Sequence, residues 1–262
     1  MTKIKTDEEL RDEAQKLIDS IAPEKFECLE NKIKRVFQER KLLECNGSCK
    51  CSICNENILC GCLQKEFKHC YCQGILNGSL IPSKLAKDSG LFGVTSNIPP
   101  KRLCRLSLRL MAKDSLSSNP KYSIEDVIIS ILAWGGKTVK RQIGNWSISL
   151  PHNLTTIKHD LSVNPFVYRE TLLSILDTKG IGISYASKIL FFYDFNYETA
   201  ILDDRVNKSL ICLFGKNFIL GGNSTYSKTR QLNLYFLYIQ ILKILSVKFS
   251  LTPIELLEIL FW

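Results

Sequence analysis

Apolar residues recur every three to four positions along most of this chain, a spacing typical of amphipathic helices. A first helix is predicted to begin at the capping-box sequence Thr6-Asp7-Glu8-Glu9, and a second to run from Pro23 to Leu43. The later predicted helices are Lys101–Lys113, Ser123–Trp134, Tyr168–Asp177, Ser184–Tyr193, Asp204–Phe214, Leu232–Phe249 and a short one from Thr252. Only short runs such as Trp146–Leu150 could be strands. The pattern therefore predicts an all-α fold.

Changes in composition divide the chain into four segments. Residues 1–44 form a helical segment whose single apolar stripe indicates packing rather than chemistry, and residues 45–75 are rich in cysteine. Residues 76–102 contain many glycine and proline residues and are predicted to connect the cysteine-rich module to a helical domain over residues 103–262.

The cysteine-rich module is predicted to bind metal. Its 28-residue span, 45–72, has the spacing C-x3-C-x-C-x2-C-x5-C-x-C-x7-C-x-C and too few large apolar residues for a core of its own. Eight thiolates could fill two four-cysteine zinc sites. Alternatively, four of the cysteines bind one metal ion while the others bind none, or the cysteines hold an iron–sulfur cluster. Zinc is the preferred ion. The predicted ligands are Cys45, Cys49, Cys51, Cys54, Cys60, Cys62, Cys70 and Cys72.

The other three cysteines, Cys28, Cys104 and Cys212, lie among apolar helical residues and are expected in the core. The N-terminal sequence has no apolar signal region, so we expect a cytoplasmic protein with reduced thiols.

The positive charge is concentrated after the first segment. The chain carries 35 Lys and Arg against 26 Asp and Glu, a net charge of +9, whereas residues 1–44 alone have a net charge of −1. This distribution favours a polyanionic partner, most simply nucleic acid, although lysine-rich composition also occurs without such a function. The chain contains no run of about 18 apolar residues, so we expect no membrane partner. One predicted loop is basic, and it either faces DNA or is an ordinary solvent-exposed loop. Its residues of interest are Lys137, Lys140, Arg141 and Gln142.

The sequence Gly180-Ile181-Gly182 lies between two apolar helical stretches. Glycines permit a tight turn there, and the backbone N–H groups at the start of the second helix can hold a DNA phosphate. This is the pattern of a helix-hairpin-helix motif. The alternative is a plain αα-hairpin in which Gly180 caps the first helix.

Asp203 follows Gly182 by 21 residues, within Ile201-Leu202-Asp203-Asp204-Arg205-Val206. With this hairpin and spacing the chain resembles the helix-hairpin-helix DNA glycosylase superfamily over about residues 100–262. The aspartate sequence looks like the I-L-D-G-N-V form of adenine glycosylases. The upstream Trp134-Gly135-Gly136 is similar to a tract in bacterial proteins with the 8-oxoguanine glycosylase fold. The resemblance implies two helical subdomains with a DNA-binding groove between them.

The resemblance assigns Asp203 as the catalytic carboxylate, which would stabilise the cationic sugar formed when the N-glycosidic bond breaks. The alternatives are that Asp203 only caps the next helix, or that Asp204 exchanges roles with it. DNA contacts are expected at Lys179, Gly180, Gly182, Ser184 and Lys188. Related hairpins often hold a monovalent cation through main-chain carbonyls, so such an ion is a further expectation.

Ser184 occupies the position at which strand-cutting members of this superfamily carry a lysine that forms a Schiff base. The resemblance therefore implies a monofunctional enzyme that leaves an abasic site. Two alternatives stay open: a bifunctional glycosylase and lyase using Lys188, and a non-catalytic nucleic-acid-binding module. The expected substrate is an oxidised purine in DNA repair, or a hypermodified base of phage DNA in anti-phage defence. The protein is expected to act as a monomer without a nucleotide cofactor.

Overall fold

A computed structural model of the protein describes residues 3–40, 105–134, 153–162, 168–196, 198–215 and 226–251, with Pro253 and Leu256. Within these ranges the chain forms helices and no strands, which confirms the all-α prediction for this part of the chain. The helices are α1 (Asp7–Asp19), α2 (Pro23–Arg40), α3 (Arg105–Ser115), α4 (Ile124–Trp134), α5 (residues 153–162), α6 (Tyr168–Leu176), α7 (Ile183–Tyr193), α8 (Asp204–Phe214) and α9 (Lys228–Lys248).

At the start of α1, two side chains accept hydrogen bonds from backbone N–H groups. Thr6 Oγ1 accepts a hydrogen bond from the Glu9 N–H at 3.2 Å, and the Glu9 carboxylate accepts one from the Thr6 N–H at 2.7 Å. That backbone bond is the main reason that the pKa of Glu9 lies below its usual range. The predicted capping box is therefore confirmed.

The described residues form two compact units, and the first combines the two ends of the chain. It contains α1, α2, α7, α8 and α9. The α1 helix buries its apolar stripe, Leu10, Ala14 and Ile18, and packs on α9. Asn233 of α9 fixes the chain entering α1, since its side chain accepts from the Lys5 N–H at 3.0 Å and donates to the Lys3 carbonyl at 2.8 Å. The packing role predicted for this helix is confirmed.

The α2 helix packs in the same unit, against α8 and the end of α9. Its Phe26 ring lies 5.7 Å from that of Phe249, and the Lys248 ammonium sits 3.9 Å above the Phe26 ring. The core prediction for Cys28 and Cys212 is wrong, because both thiols are exposed. Each stands next to a buried leucine, and one position along a helix turns a side chain by about 100°, away from the buried face.

The α7 helix is the most completely buried of the described helices of the first unit. Every residue from Ile183 to Tyr193 is buried except Ser184, so α7 has no outer face. The aromatic residues Phe191, Phe192 and Tyr193 are at most 2 % exposed and belong to the core, where they cannot stack on a bound base.

The second unit contains α3 to α6. A capping box between Ser123 and Asp126 begins α4, at the position where the sequence predicted this helix to start. Side-chain pairs join the helices: Lys158 of α5 with Glu125 of α4, and Ser174 of α6 with Asp160 of α5. The candidate strand Trp146–Leu150 and the Gly135-Gly136 pair that follows α4 lie outside the described residues.

Candidate active site

The turn after α6 depends on glycine at one position. Gly180 has a φ of +86°, a left-handed conformation that side chains with a Cβ adopt only at a cost. The Ile181 N–H donates to the Thr178 carbonyl at 3.0 Å and closes the turn. Because Gly180 comes four residues after the last residue of α6, its conformation serves this turn rather than a cap directly on the helix. Lys179 is exposed beside it.

The start of α7 has no side-chain cap. Gly182 has an extended backbone, with φ −90° and ψ 176°, and its carbonyl accepts from the Tyr185 and Ala186 N–H groups. A Cβ built on Gly182 would meet no heavy atom within 4 Å, so the space around this residue is open. The helix thus begins with uncapped amides beside open space, an arrangement that suits an anion.

A nonhelical segment, Ala200–Leu202, leads into Asp203 and is buried throughout. Three hydroxyl groups, those of Ser187, Tyr235 and Tyr238, bind its backbone, and we call them the hydroxyl clamp. Ser187 Oγ accepts from the Leu202 N–H at 3.0 Å. The Tyr235 hydroxyl accepts from the Ala200 N–H at 3.3 Å and donates to its carbonyl at 3.0 Å, and Tyr238 donates to the Ile201 carbonyl at 3.0 Å.

The loop before this segment is also fixed by side chains. The Asp194 carboxylate, 2 % exposed, accepts from the Thr199 N–H at 2.6 Å and the Thr199 hydroxyl at 2.8 Å. It also accepts from the Asn196 N–H at 3.0 Å. Buried backbone without such partners would cost free energy, so the clamp and Asp194 together define the path of the chain up to Asp203.

The two neighbouring aspartates have different environments. Asp203 caps α8, since its Oδ1 accepts from the Val206 N–H at 3.1 Å and its carbonyl accepts from the Asn207 N–H at 2.9 Å. Asp203 is half-buried, whereas the Asp204 side chain is 78 % exposed and pairs with Lys208 at 2.8 Å. The capping role that was open between them falls to Asp203, and Asp204 faces solvent.

Lys188 is the buried cation of this region. Its side chain lies in α7 at 5 % exposure, and its Nζ donates to Ser184 Oγ at 3.3 Å and sits 5.2 Å from the Tyr185 ring centre. Burial lowers the pKa of this amine, while the charge of Asp203 acts in the opposite direction, which places the two groups in electrostatic contact. The sequence predicted Lys188 as a DNA contact, but at this exposure its amine is covered by protein instead of being presented to a phosphate.

Asp203 also affects the clamp. Burial, assisted by the charges of Tyr235 and Asp203, raises the pKa of Tyr238 well above its ordinary value. Tyr238 therefore stays a neutral hydrogen-bond donor throughout the physiological range. Asp203, Lys188 and the clamp form one electrostatically coupled cluster within the first unit, and we call this the Asp203 cluster.

The buried lysine predicts a pH dependence of stability. The pKa of a lysine in the unfolded chain is about 10.4. At a pH between the lowered native pKa of Lys188 and that value, the unfolded chain therefore binds one more proton than the native protein. Stability then rises with pH through this window and is lost as the pH falls through the native pKa. We expect Lys188→Met to remove that rise in urea unfolding between pH 7 and 9.5, whereas the exposed control Lys16→Met keeps it. Equal slopes for wild type and Lys188→Met would contradict the assignment.

Sequence reasoning missed the hydroxyl clamp. Tyr235 and Tyr238 stand three residues apart in a long apolar helix, so from sequence they are indistinguishable from ordinary core residues. Ser187 lies one turn after the hairpin and carries no motif. The sequence pattern did not indicate their role, because each hydroxyl binds a backbone group that lies 15 to 37 residues away in the chain.

Several predicted site residues lie outside the described part of the chain, and their assignments stay predictions. They are the basic-loop residues Lys137, Lys140, Arg141 and Gln142 and the eight cysteines of the cysteine-rich module. Among the residues that the structure does describe, no group of three or more His, Cys, Asp and Glu side chains could hold a metal ion. Within those same ranges no helix is both long and apolar enough to cross a membrane.

Comparison of the chain with protein-family models gives no matching family, and neither the curated proteins nor the solved structures searched contain a match.

Proposed function

We propose that this protein is a DNA glycosylase in which Asp203 is the catalytic carboxylate. The observation that carries the proposal is the Asp203 cluster: a half-buried carboxylate at the end of a backbone segment held by three hydroxyls, with a buried lysine in electrostatic contact. A stable fold does not need such an arrangement, because burying a lysine costs free energy that an apolar residue would not. Clusters of this kind concentrate at functional sites.

The chemistry needs a carboxylate with a fixed position. Departure of the base leaves positive charge on the deoxyribose, and a preorganised carboxylate beside C1′ stabilises it without having to rearrange during the reaction. Three features position Asp203. The hydroxyl clamp binds the backbone before it, its side chain accepts from the Val206 N–H, and its backbone leads directly into α8. The carboxylate lies at the helix terminus that carries partial positive charge, and it is in electrostatic contact with the Lys188 amine.

The start of α7 is proposed as the phosphate-binding element. Its uncapped amides follow Gly182, where open space would admit a phosphate close to the backbone. Holding the DNA backbone there while a nucleotide rotates out of the helix would bring the sugar to the carboxylate. The net charge of +9 supports a polyanionic partner, and binding should weaken steeply as salt increases.

The reaction is proposed to be monofunctional hydrolysis that leaves an abasic site, because Ser184 has no amine to form a covalent adduct. An oxidised purine or a hypermodified base is the proposed substrate, with repair or anti-phage defence as the corresponding roles. Zinc in the cysteine-rich module and a monovalent cation at the hairpin remain predictions: the eight thiols suit zinc by their chemistry.

Base release tests the proposal directly. Wild type and Asp203→Asn would be incubated with genomic DNAs that include oxidised and phage-modified samples, and released bases identified by mass spectrometry. We expect a base freed by the wild type alone and abasic sites that break only on alkali treatment. Binding to the same DNA with no base released from any sample would instead favour the non-catalytic module.

Two glycine variants separate DNA binding from folding. Gly182→Ala should fold normally, because its φ is ordinary and the new Cβ meets no atom, yet weaken binding to duplex DNA by bringing a methyl group to the phosphate. Gly180→Ala should cost about 1 kcal/mol of stability, because φ is +86° there. Unfolding in urea and binding by fluorescence anisotropy check both. Unchanged binding by Gly182→Ala would remove the start of α7 from the proposed interface.

A further inference from the structure

The Asp203 cluster contains a proton donor that the proposed reaction has not used. Lys188 is 5 % exposed, and its ammonium donates to Ser184 Oγ at 3.3 Å. Ser184 lies one helical turn earlier and is the only residue of α7 that is not buried. A nucleotide whose phosphate is bound at the start of α7 could therefore bring its base to Ser184 but not to Lys188. The pair connects a buried proton source to a partly exposed hydroxyl.

The reaction needs such a group. Cleavage of an N-glycosidic bond leaves the electron pair on a nitrogen of the base, and protonation of the base makes it a better leaving group. Asp203 cannot supply that proton while it acts as a carboxylate. An amine whose pKa is lowered by burial is a stronger acid than an exposed lysine, and proton donation works best when the donor pKa lies near the working pH.

We propose that Lys188 and Ser184 form a proton-donating pair, in which Ser184 is the catalytic residue that protonates the departing base and Lys188 acts through it. The inference rests on the proposed glycosylase function. It deepens that function by assigning the acid that complements the Asp203 carboxylate. The titratable groups that face Lys188 are Asp203 and, in the same helix as the lysine, Tyr185, and Asp203 in turn acts on Tyr238 of α9.

The protons and bonds balance without a further reactant. As the C1′–N bond breaks, its electron pair stays on the base, Ser184 Oγ gives its proton to the base, and Lys188 Nζ returns a proton to Ser184. Water then bonds to C1′ and loses a proton to Asp203. The Lys188 amine is left neutral and the Asp203 carboxyl protonated, and transfer of that one proton between them, directly or through solvent, restores the starting state.

The test uses single-turnover base release, at saturating protein, from the DNA on which the wild type acts. We expect Lys188→Met and Ser184→Ala each to lower the rate constant about 100-fold with DNA affinity within twofold of wild type. The double variant should lose no more than either single variant, because both belong to one relay. Lys16→Met, exposed on α1, is the matched control and should keep the wild-type rate.

Two further readouts exclude a merely structural or electrostatic role. The wild-type rate should fall as the pH rises through the native pKa of Lys188, and this decline should be absent in Lys188→Met. Lys188→Arg keeps a positive charge beside Asp203 but does not release its proton near neutral pH, so it should stay about as slow as Lys188→Met. Melting temperatures would verify that the compared variants are folded.

Several results would contradict the proposed roles of Lys188 and Ser184. Recovery of the rate in Lys188→Arg would assign Lys188 to charge stabilisation, and additive losses in the double variant would separate the two residues. A Lys188-dependent adduct with an abasic-site duplex after borohydride reduction would make the lysine a nucleophile instead. Normal base release by Lys188→Met and Ser184→Ala would reject this inference alone, whereas no release by the wild type from any DNA would reject the proposed function.

Discussion

Asp203→Asn is expected to abolish base release, lowering the single-turnover rate about 1,000-fold, while the protein stays folded and bound to DNA. The loss follows from removing a preorganised charge beside the cationic sugar. Folding should survive because asparagine and aspartate cap helices about equally well, so the bond to the Val206 N–H can persist. Rate measurements on the released base and urea unfolding of the same preparation give the two parts of the result.

The adjacent aspartate is the matched control for that experiment. Asp204→Asn removes the same charge one residue later, but its side chain is 78 % exposed and pairs only weakly with Lys208 across one helical turn. We expect wild-type base release and a stability change within about 0.5 kcal/mol. A slow Asp204→Asn variant together with an active Asp203→Asn variant would exchange their roles. Full activity in both would leave Asp203 as a helix cap and nothing more.

Tyr235→Phe is expected to be the most destabilising single change in the Asp203 cluster, at about 3 kcal/mol. Its hydroxyl both accepts from the Ala200 N–H and donates to the Ala200 carbonyl, and the residue is completely buried. Phenylalanine would leave two buried backbone groups without partners, each costing about 1 to 3 kcal/mol. Urea unfolding monitored by circular dichroism measures the loss, and base release should fall as well because the segment before Asp203 is loosened.

Tyr238→Phe provides the comparison within the same helix. This hydroxyl makes one bond to the segment, to the Ile201 carbonyl at 3.0 Å, and a carbonyl without a partner costs less than an N–H and a carbonyl together. We expect about 1 kcal/mol. Equal effects of the two substitutions would mean that the number of backbone bonds does not determine how firmly the segment is held.

Local interactions account for what could be predicted from sequence. The capping box of α1 was predicted from residues three positions apart, and α4 was predicted to start at Ser123, where the structure has a second capping box. The turn before α7 was predicted from its glycines, and Gly180 indeed has the left-handed conformation. Asp203 stood out by its spacing from that turn. Its catalytic role stays a proposal, whereas its place at the start of α8 is a finding.

The surroundings of Asp203 depended on packing that the sequence pattern does not encode. Lys188 lies 15 residues before Asp203, and the sequence predicted it as a DNA contact. Its burial follows from α7 being buried along nearly its whole length. Tyr235 and Tyr238 belong to a helix with apolar residues around its whole circumference, so periodicity could not show which face meets the Asp203 segment.

The sequence by itself determined most of the helices, the starts of α1 and α4, the turn at Gly180 and the position of a carboxylate at the start of α8, because each depends on residues within a few positions of one another. It did not predict α5 over residues 153–162 or the Ser227 cap of α9. Only the tertiary structure decided that the first helix packs with the last ones, that a lysine is buried in contact with that carboxylate, and that three hydroxyls hold the segment before it. Those contacts join residues far apart in the chain. Their free energy depends on which faces are buried together, and a one-dimensional pattern does not contain that information.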